Sequence, residues 1–383
     1  MGSGKHKQIM GSHISVKNSA NGIRIRQKAF DVLKSFAIFL VIWGHVIQYF
    51  LSSDYYEEPL YRIIYSFHMP LFMMISGYFS LSSMSLSPLS FLKKKFIQLI
   101  LPAYSWIFVL ALIHLFSKTH FSTVSPSLWI IYIEEAVVYI RDGFFEADPF
   151  WFLKTCFFCY LLAYSGSQLR LNKYVWMMIT LIISQCELPF VNISHIDMMY
   201  PCFIVGMELK DNPQFFYQIC RHYIWPLGLF LVMLIFWDQY FWGYDGFLNT
   251  LLTSRMHIND PLFLKIFTQL YKLAIGLAGS FAFIGLFCSI IPQDNTNKFV
   301  SLCGDWGQYT LGIYILQSII LEMYLSRYIL LDGLNFYIYN FLVAPIIALL
   351  VLTICVNFIK KMMKSSGLAF FFLGKTKRAK SSS

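Results

Sequence analysis

In the stretch DVLKSFAIFLVIWGHVIQYF, residues 31–50, three ionisable side chains, Asp31, Lys34 and His45, interrupt an apolar run. Lys34 and His45 stand eleven positions apart, which at about 100° per residue returns to within roughly 20° of one helix face and separates them by about 16 Å along the axis. A cation and an imidazole therefore share one stripe. That spacing suits a long reagent, its phosphorylated head held by the lysine and its reactive tail reaching the imidazole. Histidine, with an ordinary pKa of about 6.5, is the side chain best able to take a proton from a hydroxyl at neutral pH and return it. Two plainer readings stand beside this one. A lone histidine in an apolar helix also serves by hydrogen-bonding a neighbouring helix, and a lysine at a helix end is commonly a snorkelling anchor.

A second stretch, FHMPLFMMISGYF, residues 67–79, lies on the segment that runs back. Counting along both segments puts His68 at about the depth of His45, close enough for the two to meet. Pro70 removes a backbone donor and favours a kink, while Ser76 and Gly77 permit close backbone approach. The same SGY tripeptide also reads as a helix-packing patch and nothing more.

The elements that must position these residues are transmembrane helices. Of 383 residues, 57% are hydrophobic and 13% charged, well outside the usage of soluble domains. Continuous apolar runs near 31–52, 60–81, 96–116, 149–167, 174–190, 197–209, 223–241, 266–291, 309–331 and 336–359 approach or exceed the roughly 20 residues that cross a bilayer. The expected fold is all-α, a polytopic bundle of about ten spans. A closed β-barrel is not expected, because the runs are continuous rather than alternating. With both termini cytoplasmic, 22 of the 30 Lys and Arg fall on the inner side, as basic residues flanking spans do. The net charge of +10 is then mostly topology, and nucleic acid is not an expected partner, because no soluble basic domain exists to hold it.

No cleavable signal peptide is expected. Residues 1–22 read as a disordered cytoplasmic lead, 23–364 as one membrane domain and 365–383 as a basic cytoplasmic tail. The insertions at about 117–148 and 242–262 could form amphipathic surface helices shaping an external cleft, or merely cover helix ends. Cys156 and Cys159 in CFFC resemble a redox pair as text, but inside lipid they read as packing. NIS at Asn192 matches a glycosylation acceptor only as a pattern.

These motifs resemble the acyltransferase-3 family of membrane proteins, which O-acylate cell-surface glycans, and are most similar to the branch described as fucose 4-O-acetylase-like. The family's first span pairs a basic residue with a histidine after ten intervening positions, here Lys34 and His45, behind an aspartate, here Asp31. The second span resembles FHMPLFMMISGYF, a Trp-Phe-Leu element resembles PFWFLKTCFF, and later helices are similar to YPCFIVGMELK and YTLGIYILQSIIL. The chain departs from the pattern in three places. Its first cation is lysine where arginine is frequent, which loses the bidentate fork but keeps the charge. Lys95 and Gln98 stand at a turn that usually holds two arginines, and Gln317 stands where a late histidine is common.

The resemblance implies a cytoplasmic acyl-CoA donor, most often acetyl-CoA, no metal, and a glycan or lipid-linked saccharide acceptor, with polysaccharide synthesis machinery as a further partner and membrane lipid around the chain. A bacterial cytoplasmic (inner) membrane is where such proteins work. His45 would be the general base, with His68, or backbone donors near Ser76 and Gly77, at the developing oxyanion. Lys34, Lys93, Lys94 and Lys95, with Ser76 and Gly77, would hold the donor. Asp31, Gln98, Tyr314 and Gln317 would support them, and Trp129, Glu134, Glu135 and Trp151 would meet the sugar, unless both tryptophans are interface anchors. Succinyl or another acyl group is an open alternative to acetyl. From another class, a glycan transporter using His45 and Lys34 for coupling is the rival, although the two related halves common in transporters are not visible.

Overall fold

The chain folds as helices throughout its described part. The computed structural model describes residues 28–51, 55, 58–118, 134, 137–138, 150–185, 195–237, 261–292, 297–331 and 333–375. Helix α1 (Lys28–Phe50) is followed by α2 (Pro59–Tyr78), which starts on a proline and carries Pro70 inside. A single turn then leads to α3 (Pro88–Lys95), a π turn over Phe96–Ile100 and α4 (Leu101–Lys118). The order continues with α5 (Trp151–Gln168), α6 (Lys173–Gln185), α7 (Ile196–Asp211), α8 (Pro213–Arg221), α9 (Ile224–Ile235) and α10 (Pro261–Ile290). It closes with α11 (Lys298–Trp306), α12 (Thr310–Ser318), α13 (Ala344–Met362) and α14 (Ser366–Leu373).

A helix stands at each apolar run of the sequence, yet their lengths differ. Among the described residues, four stretches are by length and composition able to cross a membrane: Lys28–Phe50, Pro88–Ile113, Phe263–Ile290 and Phe336–Met362. A fifth is added if α8 and α9, bent by 68° at their junction, form one broken span. The other helices are shorter, with 18 residues in α5 and 16 in α7.

Two π turns have a local cause. The segments Phe96–Ile100 and Tyr339–Val343 stand just ahead of Pro102 and Pro345. A proline nitrogen cannot donate to the carbonyl four residues back and its ring crowds that oxygen, so a wider turn relieves the conflict. A third π turn, Ile319–Tyr324, follows α12 without a proline and begins two residues after Gln317.

Packing is closest between α2 and α7. Hydrophobic attraction between helices fades in lipid, so association depends on van der Waals contact and small residues. Gly77 lies on the Phe203 carbonyl and Gly206 on the Met74 carbonyl, so a Cβ at either would strike backbone. Nearer the start of α2 on the same face, Gly276 and Gly279 of α10 receive Pro70 and Phe67, and Phe67 stacks on Phe283 at 4.6 Å. Helix α1 is buried against α11, α12 and α13. Gly307 seats on the Asp31 carbonyl, and the Ser35 hydroxyl donates to the Cys303 carbonyl.

Two expectations meet the structure at this level. At the start of the segment expected as a basic tail, Ser366–Leu373 forms α14, with Ala369 and Leu373 buried and the Phe372 carbonyl accepting from Trp106 Nε1 at 3.3 Å. The apolar run GLAFFFL outweighs the flanking lysines there. Cys156 and Cys159 are free and buried on α5. The lead at 1–22 lies outside the described residues, as does most of the two insertions.

Candidate active site around His45

The helices' ends gather into a basic end, carrying Lys28, Lys34, Lys95 and Lys210, and a far end, where the backbone N–H of Leu331 bonds the Phe50 carbonyl at 2.8 Å and Asn340 Nδ2 bonds Glu58 at 2.7 Å. His45 sits in the far half of α1, half-buried, and turns its ring toward α12. Its Nδ1 is 2.8 Å from Gln317 Oε1.

The proton on that ring follows from Gln317's other contacts. Gln317 is fully buried, and its Nε2 is 3.1 Å from the Tyr314 carbonyl and 2.7 Å from Ser318 Oγ. A carbonyl only accepts, so the NH2 end of the amide must face it. Ser318 gives its own hydroxyl proton to the same carbonyl at 3.2 Å, which leaves its lone pairs for Gln317. Oε1 therefore faces His45 as an acceptor and Nδ1 carries the hydrogen. Nε2 keeps its lone pair, which is the form a general base needs.

His68 lies near but is held differently. It is 3% exposed, and its Nδ1 donates to the Ile64 carbonyl of its own helix at 2.7 Å. The neutral ring therefore presents an acceptor, not a donor, at Nε2. Tyr65 stands beside both histidines: its ring centre is 4.7 Å from that of His68 and 6.4 Å from that of His45. Its hydroxyl donates to Gln48 Oε1 at 2.9 Å, and its ring stacks on Tyr61 at 3.9 Å.

Tyr65, Gln48 and a further pair were missed by the sequence reading. Tyr49, one turn beyond His45, hydrogen-bonds Glu322 of the third π turn. A signal for each was present. Tyr65 precedes His68 by three residues and Tyr49 follows His45 by four, the spacings that share a helix face. Glu322 is a carboxylate inside an apolar helix, where charge is costly.

At the basic end the lysines separate. Lys34 pairs with Asp31 one turn earlier at 2.6 Å and lies 5.7 Å from the Phe79 ring centre. Lys93 is exposed, and Lys94 reaches Ser83 Oγ at 3.2 Å. Lys95, 5% exposed, points inward and rests 3.4 Å over the Tyr160 ring. The Tyr160 hydroxyl donates to the Ser76 carbonyl at 3.1 Å, and Ser76 Oγ donates to the Phe72 carbonyl at 2.9 Å. Gly77 is taken up by its contact with α7, and Gln98 is exposed.

Of the four expected sugar contacts, two fall on described residues. Trp151 is half-buried against the His195 ring at 4.9 Å, and Glu134 is exposed. Trp129 and Glu135 lie outside the described residues. Tyr314 is buried and lends its carbonyl to Gln317, while its ring meets Phe152 of α5 at 5.9 Å.

A buried cation lies at one end of the helical frame and an imidazole with an open nitrogen in its far half, and the family match gives that frame its class, a membrane acyltransferase. The chain belongs to the acyltransferase-3 family, whose model, described as an acyltransferase domain, matches residues 27–360. It is similar to nodulation protein NolL of Mesorhizobium japonicum, 24% identical over 314 residues that make up 79% of this chain and 78% of the relative. It is also similar to nodulation protein NolL of Sinorhizobium fredii, 28% identical over 192 residues, 48% of this chain and 49% of the relative. That alignment spans about half the length of the Sinorhizobium protein. No solved structure matches.

Proposed function

We propose that the protein transfers an acetyl or similar acyl group from a cytoplasmic acyl-CoA to a hydroxyl of a cell-surface or exported polysaccharide, or of its lipid-linked precursor. The observation that carries this reading is the bond from His45 Nδ1–H to Gln317 Oε1, because it leaves Nε2 free to accept a proton. In this mechanism the sugar hydroxyl gives its proton to Nε2 as its oxygen attacks the thioester carbonyl. The tetrahedral intermediate collapses, the C–S bond breaks, and the imidazolium returns the proton to the leaving thiolate. Ester and free CoA thiol result, and His45 ends as it began.

Lys34, oriented by Asp31, and the inward-pointing Lys95 supply positive charge where the donor's phosphates enter. The reading takes the basic end as cytoplasmic, the ten helical segments as spans with both termini inside, and a bacterial inner membrane as the setting. The family membership and the intramembrane polar groups support it.

The test supplies purified full-length protein with acetyl-CoA and follows acceptor-dependent release of free thiol, for wild type and His45→Ala. Release that the substitution leaves unchanged would remove His45 as the base. No turnover with any acyl thioester would favour glycan transport.

A further inference from the structure

Helix α14 ends at Gly374, whose φ of 62° turns the chain back so that the Lys375 N–H caps the Ala369 carbonyl at 3.0 Å. Gly374 itself is pressed onto the backbone of Ile97 and Gln98, in the π turn that follows Lys95. A left-handed φ at this point is what glycine supplies without strain. The turn delivers Lys375 to a set place on the basic end.

There its ammonium is half-buried and poorly matched. Nζ lies 4.8 Å from the Tyr309 ring centre and 3.6 Å from Met363 Sδ. Among the described residues no carboxylate stands within ion-pair distance of it. An ammonium has three donors, and a thioether and an aromatic face are weak partners for a partly desolvated cation. Desolvation alone holds this lysine below its ordinary range. Lys34 contrasts with it, since its charge is answered by Asp31 at 2.6 Å.

The surroundings point to what completes the site. Tyr309 closes the turn that seats Gly307 on the Asp31 carbonyl, one helical turn from Lys34, while Gly374 abuts the turn after Lys95. Lys375 is thus set on backbone that adjoins both lysines proposed to meet the donor. We infer that Lys375, carried by the end of α14 and backed by Tyr309, is a subsite for a phosphoryl group on the basic end of the protein. Lysine binds phosphate as a point charge. The inference rests on the acyl-CoA reading in naming the donor's phosphates as the source; a phospholipid headgroup offers the same chemistry.

The experiment uses the full chain in nanodiscs, as wild type, Lys375→Gln and Lys375→Arg. Two quantities are read: the affinity for CoA and for phosphate-free pantetheine, and the shift in unfolding temperature between phosphatidylglycerol and phosphatidylcholine discs. The expected result is a loss of CoA affinity of about tenfold in Lys375→Gln, as for a lost hydrogen bond to a charged group, with recovery in Lys375→Arg and no change for pantetheine. CoA affinity equal in all three, with a phosphatidylglycerol shift that Lys375→Gln abolishes, would support the phosphoryl site with lipid as its source. The same lipid result together with no CoA binding by wild type would overturn the acyl-CoA reading while the site stands. Neither quantity changing would overturn the site.

Discussion

The seam between α1 and α12 and the seam between α2 and α7 both run through the bundle, and they are built by opposite means. Across the first, side chains meet: His45 bonds Gln317, which is tied to Tyr314 and Ser318. Across the second, backbones meet, with Gly77 and Gly206 each resting on the other helix's carbonyl. The two histidines divide the same way. His45 is bonded across its seam and keeps a free nitrogen, whereas His68 is bonded to its own helix and walled in. Polar groups in a low-dielectric interior are held in place where they are fully paired, and helices approach closely where no Cβ intervenes. One seam is therefore fit for chemistry and the other for rigidity.

That division yields an ordered set of outcomes. Replacing His45 with alanine removes the base, and thiol release is expected to fall by about a thousandfold, within the range for general-base loss. The purified variant should keep the unfolding temperature of wild type, which calorimetry or a thermal-shift assay checks. Gly77→Val should do the reverse. Its added carbons strike the Phe203 carbonyl, and a destabilisation of about 3 kcal/mol is expected from overpacking, read as a lower unfolding temperature and less folded protein. If Gly77→Val folds like wild type yet loses turnover, Gly77 belongs to the reaction and the division fails.

Gln317 comes next. Gln317→Leu leaves Nδ1–H without an acceptor, a cost of about 1–3 kcal/mol for a buried group, and kcat should fall about tenfold with little change in KM for the acyl donor. Gln317→Glu keeps an acceptor oxygen and should recover much of that loss, so equal damage from both variants would show that the amide does not orient the ring. The smallest effect is expected at His68. His68→Asn should change kcat less than about threefold, the scale of one weakly coupled contact, because its donor is spent on Ile64. A loss comparable to that of His45→Ala would make the two histidines partners and dissolve the comparison.

Much of this was legible beforehand. Apolar runs placed a helix at each of ten positions, since length and composition suffice where lipid demands that backbone groups pair internally. The eleven-residue interval put Lys34 and His45 on one stripe, and the three-residue interval set Asp31 beside Lys34, where the pair stands at 2.6 Å. Both are properties of helical periodicity, which is local. How His45 and His68 are placed relative to each other was not legible, because the position Tyr65 takes beside both rings depends on the rotation of two helices. Nor could sequence say that Ser76 and Gly77 face different neighbours, Tyr160 and Phe203.

By itself, then, the chain's order of residues determined the helices, the end each lysine occupies and the face each ionisable group shares, because these follow from period and polarity along a single segment. Only the tertiary structure decided which nitrogen of His45 holds the proton, which lysine of three turns inward and where Lys375 is delivered. Those depend on partners 272 and 65 positions away, Gln317 for His45 and Tyr160 for Lys95, and on α14 folding back against the bundle. Distance along a chain says nothing about distance in space until the helices have packed.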